Sequence, residues 1–500
     1  MNTIKRFVAA GGTLALLASA GACDNSKLTE LNSNPNAPEQ VGPELLFPNG
    51  VTEAVRQVRG GFEVVPQSIG STWPQYLAEY QYPEISYYLF RPSTADAWWG
   101  TFYSGPLQDF EQALRQAKAA DHPNRVGPIL VMRAWTYWYM TAMWGDIPFT
   151  EANKGDPDAG RVITPTYDPQ KVIFDSLLAN LQSVNQILPG TSGLGFGSQD
   201  PIYKGDAASW KRFANSLRAR IGLSLQKADA ARAQSEVVAA INAGGFTSNA
   251  QEALLVWAGN ATQTSNPWWS NQLEGGGTRD DARFAATFID TLKSLNDPRL
   301  PIFARPTQAT GDYQGMPVGL EAGAAGAWGT KSSRLGTKVF GKNQPSYLMT
   351  YAEYSFIKAE AAERGWIPGG AAAAAQYYQE GITASMQDWG VADAAITAYL
   401  AQPAVVYAGT GTSSAAGIHQ IILQKWIAAF TAGFEAWVDW RRTGYPALTP
   451  AQNARTSDKS IPRRVIYPQN EQSFNNANLQ TAISSQGGAE LTNRVYIDKP

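Results

Sequence analysis

Three stretches of this chain set flat aromatic rings among hydrogen-bonding side chains. Trp73, Tyr76, Tyr80, Tyr82 and Tyr87 stand in the first, with Gln75, Glu79 and Glu84 between them. Asn266, Trp268, Trp269, Asn271 and Gln272 form a denser group in the second, followed by Arg279, Asp280 and Asp281. Tyr313 and Trp328 lie in the third. Such a mixture suits a ligand with apolar C–H faces and hydroxyl edges, as sugars have. Rings stack on the faces, while amides, carboxylates and guanidinium groups bond the edges. One aromatic contact contributes only about 0.5–1.5 kcal/mol, so several must converge.

Packing is the competing use of the same rings. Trp73 and Tyr76 fit a structural segment as readily as a binding surface. Trp268 and Trp269 are adjacent in a Gly/Asn loop, where two bulky rings cannot both turn inward easily. Trp98, Trp99, Trp135, Trp210 and Trp426 fall on helical patterns and are assigned to the core. The candidate ligand-binding set is therefore Trp73, Tyr76, Tyr82, Asn266, Trp268, Trp269, Arg279, Asp280, Tyr313 and Trp328.

Other chemistries lack their residues. With one cysteine and two distant histidines, His122 and His419, the usual zinc spacing is missing. No Gly-x-Ser-x-Gly elbow or phosphate-binding Gly-rich loop occurs. Glycoside hydrolysis needs two carboxylates on opposite sides of a bond, which the neighbours Asp280 and Asp281 cannot supply alone. Asp439, in Trp437-Val-Asp-Trp-Arg441, is expected to pair with arginine on a buried helix. The expectation is a binding protein without catalysis. No cofactor is expected; one candidate calcium ligand is Asp146, beside loop carbonyls. A net charge of −2, with interspersed signs, gives no basic footprint for nucleic acid.

The elements that must carry these residues are mostly helical. Trp210, Phe213, Leu217, Ile221 and Leu225 recur at three- and four-residue steps behind Asp206, a candidate N-cap. Tyr354, Ile357 and Ala361 form a second stripe, ended by Gly365 and Pro368. Tyr378, Ile382, Ser385 and Trp389 form a third, so the two read as an antiparallel helix hairpin. Ile418, Ile422, Trp426 and Phe430 make another, with Gly433 breaking or bending it. Residues 129–144 are apolar nearly all round and predict a helix buried on several sides. Further helices are predicted over 45–57, 97–119, 169–188, 230–243 and 283–295, and strands over 254–258 and 463–467. Segments near 67–94, 259–278 and 301–345 resist a helical reading. Their aromatic content argues against disorder, so they read as loop-rich insertions in one helical domain over 41–500.

The N-terminal residues address the chain outward. Lys5 and Arg6 precede an apolar run, Phe7 to Ala20, of about 14 residues, short of the roughly 20 that span a bilayer. Ala20, Gly21 and Ala22 stand before Cys23, the sole cysteine. The pattern resembles a lipobox: a signal peptide over 1–22 and acylation of Cys23, with 23–40 as a tether containing Asn34-Pro-Asn-Ala-Pro38.

Behind that anchor, an ordered series of segments resembles the SusD/RagB family. It runs through Leu31-Asn-Ser-Asn-Pro-Asn-Ala-Pro38, Trp73-Pro-Gln-Tyr76, Trp144-Gly-Asp-Ile-Pro-Phe149 and Tyr203-Lys-Gly-Asp-Ala-Ala-Ser-Trp210. Phe213-Ala-Asn-Ser-Leu-Arg218, Asp297-Pro-Arg299, Ala359-Glu-Ala361, Gln424-Lys-Trp426, Trp437-Val-Asp-Trp-Arg-Arg442 and Ile461-Pro-Arg-Arg464 follow. The resemblance implies an all-α fold, a right-handed superhelix of four tetratricopeptide-like helix pairs with an irregular ligand-binding lobe. It implies an outer-membrane lipoprotein facing the cell exterior, binding oligo- or polysaccharide. Its implied partner is a SusC-like TonB-dependent outer-membrane transporter. Two readings compete: peptide as the ligand on the same fold, or a helical-repeat scaffold that binds proteins in an apolar groove.

Overall fold

The computed structural model describes residues 41–60, 66–156, 159–188, 195–271, 273 and 280–499. The leader, the whole tether with Cys23, Gln272 and Arg279 lie outside the described residues. Fourteen helices of eight or more residues, among those described, carry the fold. The first seven are α1 (Pro43–Arg59), α2 (Pro92–Phe102), α3 (Gln108–Ala119), α4 (Pro123–Trp144), α5 (Gln170–Ile187), α6 (Ala207–Ser224) and α7 (Ala230–Asn242). The rest are α8 (Ala286–Ser294), α9 (Tyr351–Glu363), α10 (Gly370–Asp388), α11 (Asp393–Leu400), α12 (Ala415–Ala428), α13 (Gly433–Thr443) and α14 (Asn476–Gln486). Chain neighbours stack in order: α3 on α4, α4 on α5, α5 on α6, α6 on α7, then α9 on α10 and on α12. The fold is mainly α-helical, as predicted.

Helix α4 is the centre of the stack. From Val126 to Trp144 every residue but Arg133 is buried, which is why its pattern shows no polar face. Burying an indole requires a partner for its N–H. Trp135, Trp138 and Trp144 find theirs in the Leu348 carbonyl (3.2 Å), the Ser224 hydroxyl (3.3 Å) and the Ile466 carbonyl (2.9 Å). The helix stops at Gly145, whose φ of +82° is a region other residues resist.

The predicted caps and hairpin hold. Asp206 accepts the Ser209 amide at 2.9 Å to start α6. Helices α9 and α10 form the hairpin. Three readings are corrected. The helix expected over 97–119 is two, parted at Tyr103–Leu107, where Gly105 has non-helical φ and ψ and Pro106 has no amide proton to give. Residues 463–467 form no strand; Arg463 and Val465 instead donate to Leu491 and Met143. The helix expected over 283–295 begins only at Ala286, because Arg283 belongs to a strand.

Strands among the described residues are short and sit in or beside the loop-rich segments. They are β1 (Leu77–Glu79), β2 (Ala253–Leu255), β3 (Ala282–Phe284), β4 (Ala304–Arg305), β5 (Arg334–Leu335) and β6 (Ser346–Met349). All pair antiparallel: β1 with β3, β2 with β6, β4 with β5. The β1–β3 ribbon ties the first irregular segment to the residues after the second, β2–β6 joins residues that flank the second and third, and β4–β5 lies within the third.

Candidate functional site

The β1–β3 ribbon sets Leu77 opposite Phe284, Ala78 opposite Arg283 and Glu79 opposite Ala282. Leu77 and Phe284 enter the main apolar core. Just past β1 the ribbon leaves the core, and Tyr80 continues the ladder with its amide on the Asp281 carbonyl at 2.9 Å. There the Tyr80 ring lies over the Arg283 guanidinium, 4.2 Å from ring centre to carbon. Arg283 Nε donates to the Gly329 carbonyl at 2.7 Å. Its other nitrogens donate to the two Asp280 carboxylate oxygens at 2.9 and 3.2 Å. Arg334 adds a contact to the same carboxylate at 3.2 Å.

The helical turn Ala322–Gly326 delivers Trp328, whose amide donates to the Ala325 carbonyl at 2.9 Å. Tyr80 and Trp328 both rest, half-buried, on a small cluster of Ala78, Met316 and Ala325. A Cβ on Gly329 would come within 2.7 Å of the Tyr80 ring, so glycine is what lets this backbone close on it. Gln81 donates to the Tyr80 hydroxyl at 2.9 Å, and Tyr82 is 64% exposed. The result is a candidate platform of Tyr80 and Trp328, edged at Tyr80 by the Gln81 amide and the Asp280 carboxylate. Such a surface can stack on apolar ring faces and bond to hydroxyls at its edge.

From the expected set, Asp280 lies beside Tyr80 and Trp328 shares its apolar cluster, while Tyr82 stands exposed two residues further along the chain. The structure sends others elsewhere. Trp73 is 1% exposed and packs on Trp437, ring centres 5.3 Å apart. Tyr76 is equally buried, stacked on Trp426 at 5.1 Å with its hydroxyl donating to the Trp426 carbonyl at 2.6 Å. Both take the packing role, which corrects their assignment to ligand. Trp268 is 5% exposed within the main core, and Asn266 is buried beside it, bonded to the Gln344 carbonyl and the Trp268 amide; these too are corrected. Trp269 is half-buried, with Lys342 Nζ 4.9 Å from its ring centre. Tyr313 packs against the main core rather than on the platform's small cluster.

Tyr80, Arg283 and Arg334 complete the platform beyond the expected set. Tyr80 stood in the first aromatic series, and its place among Gln75, Glu79 and Glu84 was its signal. Arg283 was hidden by the helical periodicity that follows it, and Arg334 carried no signal.

A separate cleft, lined by Arg59, Arg220, Glu353, Lys425, Glu435 and Trp389, has a volume of about 40 Å³. That is far below the roughly 300–1,000 Å³ of small-molecule pockets. Its charges answer one another: Arg59 meets Glu435 at 2.5 Å, and Arg220 meets Glu353 at 2.5 Å. Asp439 pairs with Arg442 and Lys425, each at 2.8 Å, the pairing expected of that helix. Asp146 accepts the Gln170 amide at 2.8 Å and the Ser485 hydroxyl at 3.0 Å, tying the start of α5 to α14. Among the described residues, no three of His, Cys, Asp and Glu stand together as a metal cage.

The helical stack and its short ribbons define a class, a mainly helical fold whose loop-rich segments carry the candidate platform. The family described as "Starch-binding associating with outer membrane" matches residues 35–468. This chain belongs to that SusD-like family. Solved structures agree on the fold. A SusD homologue from Bacteroides uniformis has a TM-score of 0.79 at 22% identity, over 91% of this chain and 99% of that one. A chitin-binding SusD homologue from Flavobacterium johnsoniae has 0.76 at 24%, over 91% and 98%. A further chitin-binding protein has 0.77 at 24%, over 92% and 100%. No curated protein matches the chain.

Proposed function

We propose that this protein is a non-catalytic cell-surface receptor that captures oligo- or polysaccharide and hands it to a SusC-like TonB-dependent transporter of the outer membrane. In this reading residues 1–22 are a signal peptide, Cys23 carries the lipid, and 23–40 tether the helical domain at the cell exterior. The observation that carries it is the platform: two half-buried rings, Tyr80 and Trp328, on one small apolar cluster, with a carboxylate and an amide beside Tyr80. The family's starch-binding description and the chitin-binding names of two structural neighbours support a glycan as its ligand. Asp280 is engaged as an acceptor by two guanidinium groups, an arrangement for holding rather than for proton transfer.

The test is calorimetric titration of the detergent-purified full chain with maltoheptaose, chitohexaose and a mixture of short peptides. Binding of either oligosaccharide, lost in Tyr80→Ala and in Trp328→Ala with the melting temperature kept, supports the reading. Binding of peptides alone would overturn it in favour of a peptide receptor.

A further inference from the structure

We propose that Arg283 is the positioning residue of the platform: it holds Tyr80 and Trp328 in their binding arrangement before ligand arrives, without touching ligand itself. The inference rests on the platform reading above. The Arg283 side chain is 4% exposed, so its guanidinium is spent on protein. One face lies under the Tyr80 ring. Nε bonds the Gly329 carbonyl, adjoining Trp328. Nη1 bonds the carbonyls of Asp280 (3.2 Å) and Ala282 (2.8 Å) as well as the Asp280 carboxylate. A single planar group therefore touches all three chain segments that build the platform.

The β1–β3 ladder and the close approach at Gly329 join those segments through their backbones; the Arg283 guanidinium adds a side-chain contact to all three. The apolar cluster beneath them holds only Ala78, Met316 and Ala325 as buried members, too small a base to orient two rings by itself. A fork of five donors in one plane can stack and bond in several directions at once, whereas an ammonium is a point charge with three donors. Holding the rings beforehand removes the ordering cost from binding, about 0.5–1.5 kcal/mol for each immobilised side chain. Binding groups need placement within about 0.5 Å to act together.

The test uses the full chain in detergent, chitohexaose and maltoheptaose as probes, and 5-fluorotryptophan labelling, with the Trp328 resonance assigned through Trp328→Phe. Arg283→Lys should keep the melting temperature within about 2 °C and weaken binding about tenfold or more. In the ligand-free protein it should displace the Trp328 fluorine resonance while the other tryptophan signals stay. Adding Tyr80→Ala to Arg283→Lys should then cost less than Tyr80→Ala alone, because the two act as a unit. Wild-type affinity with an unmoved resonance in Arg283→Lys would overturn the proposal and leave the platform reading standing. Should Arg283→Lys fail to fold, Asp280→Asn loosens the same guanidinium from its outer side. A displaced Trp328 resonance there supports the proposal and an unmoved one overturns it. Should the wild type bind neither probe, the glycan reading falls, and the resonance comparison alone decides the role of Arg283.

Discussion

Tyr76 and Tyr80 flank the same three-residue strand, yet one is sealed in the core and the other half-open on the surface. Their neighbours make the difference. Tyr76 meets the rings of Trp426, Phe288 and Phe430 within 6 Å, and its hydroxyl finds a backbone carbonyl, so nothing polar is stranded. Tyr80 meets a guanidinium whose charge is answered by a carboxylate that is itself 23% exposed. The Asp280 end of this pair reaches solvent, and the Tyr80 ring beside it stays half-buried. The comparison teaches that a ring's use is set by what the partner strand and the next loop place against it.

Three measurements would break or sharpen that contrast, and a fourth extends it to carboxylates. Trp426→Ala removes the ring on which Tyr76 stacks and should cost about 3–5 kcal/mol of stability, read from denaturant unfolding. A loss below about 1 kcal/mol would show that the Tyr76 cluster is not the sealed region described. Trp328→Ala should do the reverse: stability within about 1 kcal/mol of wild type, but oligosaccharide binding weakened tenfold or more, about 1.4 kcal/mol. Unchanged binding would remove Trp328 from the site. Tyr76→Phe deletes one buried hydroxyl and strands the Trp426 carbonyl, for a loss of about 1 kcal/mol. A neutral result would mean that stacking alone secures this ring.

The smallest effect contrasts carboxylates rather than rings. Asp280 faces two arginines, whereas Glu252 faces Asp388. Burial and the Asp388 charge push the Glu252 carboxyl up to about 9, and burial pushes Asp388 up to about 6. The folded chain then holds more protons than the unfolded one from about pH 3.8, the ordinary aspartate value, to about pH 9. Stability attached to this pair is present below that window and declines as pH rises through it. Glu252→Gln can still donate toward Asp388 and accept the Tyr351 amide, a bond of 2.7 Å in the wild type, but it does not titrate. Its melting temperature relative to wild type should climb between pH 5 and pH 9. A difference that stays flat across that range would count against the shared-proton arrangement.

Much of the helical framework was legible because helix periodicity is a local property. The stripe from Trp210 to Leu225, the cap at Asp206 and the all-round apolar run before Trp144 each describe their own helix. Binding residues were less legible. Trp73, Tyr76 and Trp268 carry the same ring chemistry as Trp328, and nothing within a few residues of any of them states which face will be covered. Asp280 and Tyr82 were reached from their loops, while Arg283 was missed because a helix follows two residues after its strand ends.

By itself the sequence determined the helical class, the sealed helix α4 and the ordered segments of the SusD-like family, since each rests on neighbours along the chain. Only the tertiary structure decided that Tyr80, Asp280, Arg283 and Trp328 meet. The physical reason is that antiparallel pairing of β1 with β3, and the close approach at Gly329, join segments far apart in sequence through contacts that none of them encodes alone.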